Sequence, residues 1–156
     1  MKSLEFHTDE MHPYNLSFRT GNRRFYNILE VGYGSYTGLS MWSYSYGIGT
    51  QLGQAKKRVN YNLELKARSF MHVAGPNNHL LLNPHFDPLM NIRLGQKRPS
   101  LMIGPTFNLL IADRALNSLA SGEVKGASPN YPSVYDLVDT LVEVDFWIGG
   151  KIAFRI

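Results

Sequence analysis

In the stretch VNYNLELKARSFMHV, Val59 to Val73, two chemistries alternate residue by residue. Val59, Tyr61, Leu63, Leu65, Ala67, Ser69, Met71 and Val73 form one series. Asn60, Asn62, Glu64, Lys66, Arg68, Phe70 and His72 form the other. Only an extended chain sends successive side chains to opposite faces, so the pattern predicts a strand with one apolar face and one largely charged face.

The pattern recurs along the chain. Trp42, Tyr44, Tyr46, Ile48 and Leu52 share a face against Ser43, Ser45, Gly47 and Gly49. Phe25, Leu29, Val31 and Tyr33 oppose Glu30, Gly32 and Gly34, and Leu101, Ile103, Phe107, Leu109 and Ile111 oppose Gly104, Thr106 and Asn108. At the end, Val142, Val144, Phe146, Ile148, Ile152, Phe154 and Ile156 oppose Glu143, Asp145, Gly149, Lys151 and Arg155. Seven strands are expected, at about 16–20, 25–36, 40–52, 58–71, 80–94, 100–112 and 142–156. Leu4 and Phe6 alternate with Glu5 and His7, which makes an eighth at 3–8.

The connections fall into two kinds. GNRR (Gly21–Arg24), GQAKK (Gly53–Lys57) and GQKR (Gly95–Arg98) are tight, glycine-led and basic. Alternating with them are YTGLS near Gly38, HVAGPNNH (His72–His79) and a long segment from Asp113 to about Asp136. Short turns at one end and longer loops at the other describe an all-β, antiparallel up-and-down meander. With an even strand count the first and last strands can pair, closing a barrel and removing exposed edges. Pro84, Pro88 and Pro105 fall inside strand candidates, and proline cannot donate to a ladder. Pro84 and Pro88 are read as a bulge, or as strand outside the paired region.

At 156 residues the chain fits one domain, residues 1–156. It has no cysteine, which excludes disulfides and thiolate metal sites. No run approaches the roughly 20 apolar residues of a membrane-spanning helix. The start, MKSLEFHTDEMHPY, lacks the apolar centre of a signal peptide.

Alternation alone does not say which face is wet. A soluble barrel buries its apolar face; a membrane barrel exposes that face to lipid and keeps a polar lumen. The second face here is made of glycine, serine and paired charges, which suit the narrow interior of an eight-stranded barrel better than a solvated surface. The strand candidates are long, where a tilted span of a bilayer needs roughly 9–11 residues. Tyr26, Tyr33, Tyr36, Trp42, Tyr44, Phe146 and Phe154 lie near strand ends, as in the aromatic girdles of membrane barrels. The apolar face is therefore read as the outer, lipid-facing one: a transmembrane barrel of about eight strands.

The terminal VEVDFWIGGKIAFRI resembles the closing strand of Gram-negative outer-membrane β-barrels, although it ends on Ile156 with its aromatic at Phe154. GIGTQLGQAKKRVNYNLEL is similar to the hairpins of that family, and LMIGPTFNLLIAD to one of its strands. The resemblance implies an outer-membrane location with a periplasmic C-terminus. It implies contact with the bilayer and lipopolysaccharide, and recognition of the last strand by the barrel-insertion machinery. Another envelope protein is a further possible partner.

Two groups of site residues follow. Glu30, Glu64, Lys66, Arg68, Glu143, Asp145, Lys151 and Arg155 are expected as a charge network in the lumen. Arg23, Arg24, Lys56, Lys57, Lys97 and Arg98, with Arg58, ring the short-turn end, where anionic headgroups would attract them. A nucleic-acid partner is not expected, because no exposed aromatic platform accompanies these charges. No cofactor is implied. His85 and Asp87 share a face but fall short of a metal ligand set.

The expected function is non-enzymatic: envelope structure, anchoring of a partner or domain, or adhesion through the outer loops, with the segment 114–135 a candidate for recognition. Two alternatives belong to other classes. One is a soluble lipocalin-like barrel with Tyr44, Tyr46, Leu63 and Phe107 lining an apolar pocket. The other is a lipid A-modifying enzyme using His72, His79 or His85 at the outer rim.

Overall fold

The computed structural model describes residues 2–9, 12–36, 39–53, 57–72, 81–95, 99–113, 135–138 and 142–156. Among these residues nine strands are present: β1 Lys2–Asp9, β2 Tyr14–Gly21, β3 Tyr26–Tyr36, β4 Leu39–Leu52, β5 Val59–His72, β6 Leu81–Arg93, β7 Ser100–Asp113, β8 Tyr135–Val138 and β9 Val142–Arg155. No helix occurs among the described residues. Each strand from β1 to β7 pairs antiparallel with the next, β7 pairs with β9, and β9 returns to β1. Eight strands thus close a barrel. Backbone bonds between Leu4 and Ile156, at 2.9 and 3.2 Å, extend the closure to the last residue.

The stagger of the closure can be read from the register. Phe6 leads through Leu16, Val31, Tyr44, Ser69, Leu82 and Ile111 to Val144, whereas Phe6 itself pairs with Phe154. Val144 and Phe154 are ten residues apart on β9, which is the shear of this barrel. With a strand spacing of about 4.8 Å and a rise of roughly 3.3 Å per residue, that stagger tilts the strands about 40° from the axis. The same stagger explains β8. β1 pairs with β9 only over Lys151–Arg155, so the edge of β9 above it is free to take a further short strand, and β8 pairs there with Glu143–Phe146.

Pro84 and Pro88 make no bulge. They keep constant register against Ala67 and Leu63 of β5. Pairing with β7 lapses instead at 83–84 and 87–89 and resumes in the same register at Met90. The missing donors therefore fall on the β6–β7 ladder, where Pro88 and Pro105 lie level, and the strand runs on without an inserted residue.

The distribution of side chains is the reverse of a soluble barrel. Leu29, Val31, Tyr44, Tyr46, Leu65, Phe86, Ile103, Ile148 and Ile152 are exposed on the outside. Glu5, Arg19, Glu30, Glu64, Lys66, Arg68, Asp87, Lys151 and Arg155 are buried inside. Buried apolar groups are few: Leu89, Met102 and Ala153 form one small cluster. Tyr44, Tyr46, Leu63 and Phe107 stand on the outward series rather than around an interior pocket. Among the strand-end aromatics, Tyr33 and Trp42 pack together with ring centroids 4.9 Å apart, level with exposed Tyr14. Tyr26 differs from the outward expectation: it is fully buried in the lumen.

Candidate functional site: a charge-paired lumen

Alternation decides which residues meet inside. In β5, Glu64, Lys66 and Arg68 follow one another on the inward face, so an anion and two cations form a ladder along the axis. The facing strands supply what this ladder lacks. Glu30 of β3 receives Lys66 Nζ at 3.0 Å on Oε2 and Arg68 Nη2 at 3.0 Å on Oε1. Ser45 and Ser17 donate to the same carboxylate at 3.2 Å each, and His7 Nε2 lies 3.3 Å from it. Asp9 faces Arg68 Nη2 at 2.5 Å, and Asp87 faces Lys66 Nζ at 3.0 Å.

Glu64 is the second hub. Arg19 of β2 reaches it with Nε at 3.1 Å and Nη2 at 2.8 Å, and the Tyr26 hydroxyl donates at 2.9 Å. Arg19 also pairs with Glu5, which takes Lys151 Nζ at 3.1 Å. Arg155 lies farther out, with Nε 3.4 Å from Glu5 and Nη2 3.5 Å from Glu64.

Among the described residues the lumen therefore holds five carboxylates, Glu5, Asp9, Glu30, Glu64 and Asp87, and five cations, Arg19, Lys66, Arg68, Lys151 and Arg155. The balance matters because an unpaired charge in a dry interior costs several kcal/mol, on the order of 3–5 when one partner is removed. Glycines make room for the long side chains. A Cβ at Gly47 would collide with the Lys66 side chain and lie 2.6 Å from the Leu65 carbonyl oxygen.

Glu30, Glu64, Lys66, Arg68, Lys151 and Arg155 are thus where the sequence places them. Glu143 and Asp145 occupy β9 opposite Ala112 and Leu110, and their side chains lie outside the described residues. Sequence reasoning missed Glu5, His7, Asp9, Arg19 and Tyr26 as members. The alternation of Leu4 and Phe6 with Glu5 and His7, and of Leu16 and Phe18 with Ser17 and Arg19, carried that signal. At the short-turn end Arg23, Arg24 and Lys57 are exposed, whereas Lys56, Lys97 and Arg98 lie outside the described residues.

Of the three histidines named for the outer rim, only His85 has its side chain among the described residues. His85 is buried in the lumen with Nδ1 3.1 Å from the Asn83 carbonyl. The His72 side chain and His79 lie outside the described residues. His7, Asp9 and Glu30 bring ligand-type atoms within 4.8 Å of one another. Arg68 and Lys66 already neutralise those carboxylates, so a metal ion would meet two cations there.

Fold and lumen together define a small closed β-barrel with a polar, charge-paired interior and an apolar exterior. No known protein family, curated protein or solved structure matches the chain.

Proposed function

We propose that this chain is an integral β-barrel of a bacterial outer membrane, non-enzymatic, with a lumen closed to diffusion. The observation that carries the reading is the inverted side-chain distribution: paired charges are buried, while Leu29, Tyr46, Leu65 and Ile152 are each more than half exposed. In water such a surface would drive association; in a bilayer it is the solvated face. Dimensions agree. Strands of 13 or 14 residues tilted by about 40° reach roughly 35 Å along the axis, and the eight-residue β1 and β2 about 20 Å, against an apolar band of about 25 Å. The row Tyr14, Tyr33 and Trp42 sits at one rim, where amphipathic rings favour the headgroup level.

On this reading the short basic turns and both described ends of the chain face the periplasm. The longer loops reach the outer surface beside lipopolysaccharide, and the last strand is what the insertion machinery reads. A lumen whose charges satisfy one another supports a structural role: envelope integrity, anchoring of an envelope partner, or adhesion through the loops.

The test is envelope fractionation of the chain exported behind a secretion signal, with boiled and unboiled samples compared on a detergent gel. A heat-modifiable band in the outer-membrane fraction is expected. A monomer that stays in the periplasmic supernatant without detergent would overturn the proposal.

A further inference from the structure

We infer that a groove on the outer face, running from β7 and β9 across β1 and β2 to β3 and β4, holds one acyl chain of a membrane phospholipid with its headgroup at the aromatic rim; the inference rests on the membrane reading above. The groove has a volume of about 610 Å³. Two outward rows form its walls. Leu101, Phe154, Phe6, Leu16 and Val31 make the lower row, each paired with the next across a ladder. Ile152, Thr8, Tyr14, Tyr33 and Trp42 make the upper row, two residues nearer the longer loops. The floor between them is the backbone of the inward residues His7, Asn15, Gly32 and Ala153.

The dimensions are those of one chain in one leaflet. Rows two residues apart stand about 7 Å from each other, which leaves room for a single file of methylenes in van der Waals contact with both. Five strands at a spacing of about 4.8 Å make a groove about 19 Å long, against about 15 Å for half the hydrocarbon core of a bilayer. The rows run at right angles to strands tilted by about 40°, so the groove climbs about 12 Å from its β7–β9 end to its β3–β4 end. The stagger sets that direction: it carries the register from Phe6 round the ring to Val144, which is nearer the longer loops than Phe154. The upper end of the groove is therefore the rim of Tyr33 and Trp42.

The sector argues for a bilayer lipid as the occupant. β1 and β2 are eight residues each and reach only about 20 Å along the axis, where the apolar band is about 25 Å. A bilayer meets so short a wall by thinning. A chain laid along the inclined groove spans about 12 Å of depth instead of about 15 Å, and so supplies much of that thinning with its methylenes covered.

The chemistry of the lining favours a phospholipid over lipid A. No Asp, Glu, Lys or Arg is among the described residues that line the groove. An uncharged chain suits such walls, and a phospholipid leaves its phosphate beyond them, in the headgroup layer. The phosphates that lipid A carries on its sugars call for basic side chains beside the chain. At the upper end Tyr14 and Trp42 are exposed, and their O–H and N–H groups can donate to ester carbonyls at the headgroup level.

The test uses the full chain folded in detergent and phosphatidylcholine with a dibrominated chain, whose bromines quench nearby tryptophan. The chain has two tryptophans, Trp42 in the groove and Trp147 fully buried in the lumen. Subtracting the signal of Trp42→Phe therefore isolates Trp42. Its quenching is expected to saturate with a single lipid per barrel. In Trp42→Phe/Leu65→Trp, which moves the reporter to the open outer face, quenching should rise in proportion to the lipid content of the micelle. Thr8→Phe obstructs the groove and should raise the lipid needed for half-quenching of Trp42 about tenfold or more, since each displaced methylene costs about fourfold. Thr8→Leu repeats the comparison if Thr8→Phe gives no heat-modifiable band. Unlabelled phosphatidylcholine should restore the Trp42 signal at lower concentration than lipid A. Proportional quenching of Trp42 in the native chain, an unshifted curve in both Thr8 variants, or better displacement by lipid A would overturn the inference. Absence of quenching in the Leu65→Trp reporter would count against the membrane reading, and against the groove only if Trp42 is unquenched too.

Discussion

Arg19 and Glu64 grip each other across the lumen in a two-pronged pair, Nη2 to Oε2 at 2.8 Å and Nε to Oε1 at 3.1 Å, although β3 and β4 separate their strands in the wall. Such a pair ties opposite sides of the barrel together and fixes both side chains at once. Glu64→Gln keeps the shape and leaves the guanidinium under-compensated, so it should cost about 3–5 kcal/mol. Arg19→Met/Glu64→Leu, which removes both charges, should cost less than the two single changes summed. Urea unfolding in lipid vesicles measures both. A loss below about 1 kcal/mol for Glu64→Gln would mean that the other groups around Arg19 carry the tie.

Gly49 provides the space for Tyr26. A Cβ there would lie 2.5 Å from the tyrosine ring, whose hydroxyl donates to Glu64 at 2.9 Å. Gly49→Val should therefore displace the ring and break that bond, with a loss of roughly 1–3 kcal/mol. Gly49→Val combined with Tyr26→Ala should recover part of it. Tyrosine fluorescence and the unfolding midpoint report the two effects, and an unshifted midpoint in Gly49→Val would show that the ring has another place to go.

Leu65 is 54 % exposed in the middle of β5, between Ile48 and Phe86 on the outer face. If lipid is the outer solvent, Leu65→Arg should destabilise the barrel by about 2–4 kcal/mol, as arginine does near a bilayer midplane. Lys57→Ala, on an exposed turn, should change stability within about 0.5 kcal/mol. A neutral effect of Leu65→Arg on folding into vesicles would place water outside this strand.

His12 lies between β1 and β2, buried and stacked on Phe70 with centroids 5.7 Å apart. Burial, followed by the nearby Arg68 charge, pushes its imidazole down from 6.5 to about 4. Above pH 6.5 the ring is neutral in folded and unfolded chains alike, so it adds no pH dependence. As pH falls from 6.5 towards about 4, the unfolded chain takes up a proton that the folded one refuses, and stability drops. His12→Gln should flatten this part of the stability profile. An unchanged slope would assign the acid sensitivity to other groups.

Much of the wall was legible because period-two alternation is a property of single strands. Every long strand lies within two residues of its sequence boundaries, and β5 shows why: Glu64, Lys66 and Arg68 can share a face only when the chain is extended. β8 was not legible, since Tyr135–Val138 is too short to alternate. Nor was the partner of each charge. That Glu64 meets Arg19 of β2 depends on the ten-residue stagger, and shear is a property of the closed ring rather than of any strand. Proline misled for the same reason. Pro88 interrupts one ladder and leaves the other intact, which sequence cannot distinguish without knowing the neighbours.

The wall closes where the first strand meets the last, with Glu5 and Arg155 joined although they lie 150 positions apart in the sequence. The six ladders from β1–β2 to β6–β7 link strands consecutive in the chain and can form while the rest is still arriving. This one cannot, so the sheet keeps two open edges until β9 is in place. Closing it last makes completion of the ring the slow, non-local step of folding, and a chain caught before it exposes an edge ready to pair with its neighbour. The pairs between 5–9 and 151–155 thus act as a clock as well as a clasp.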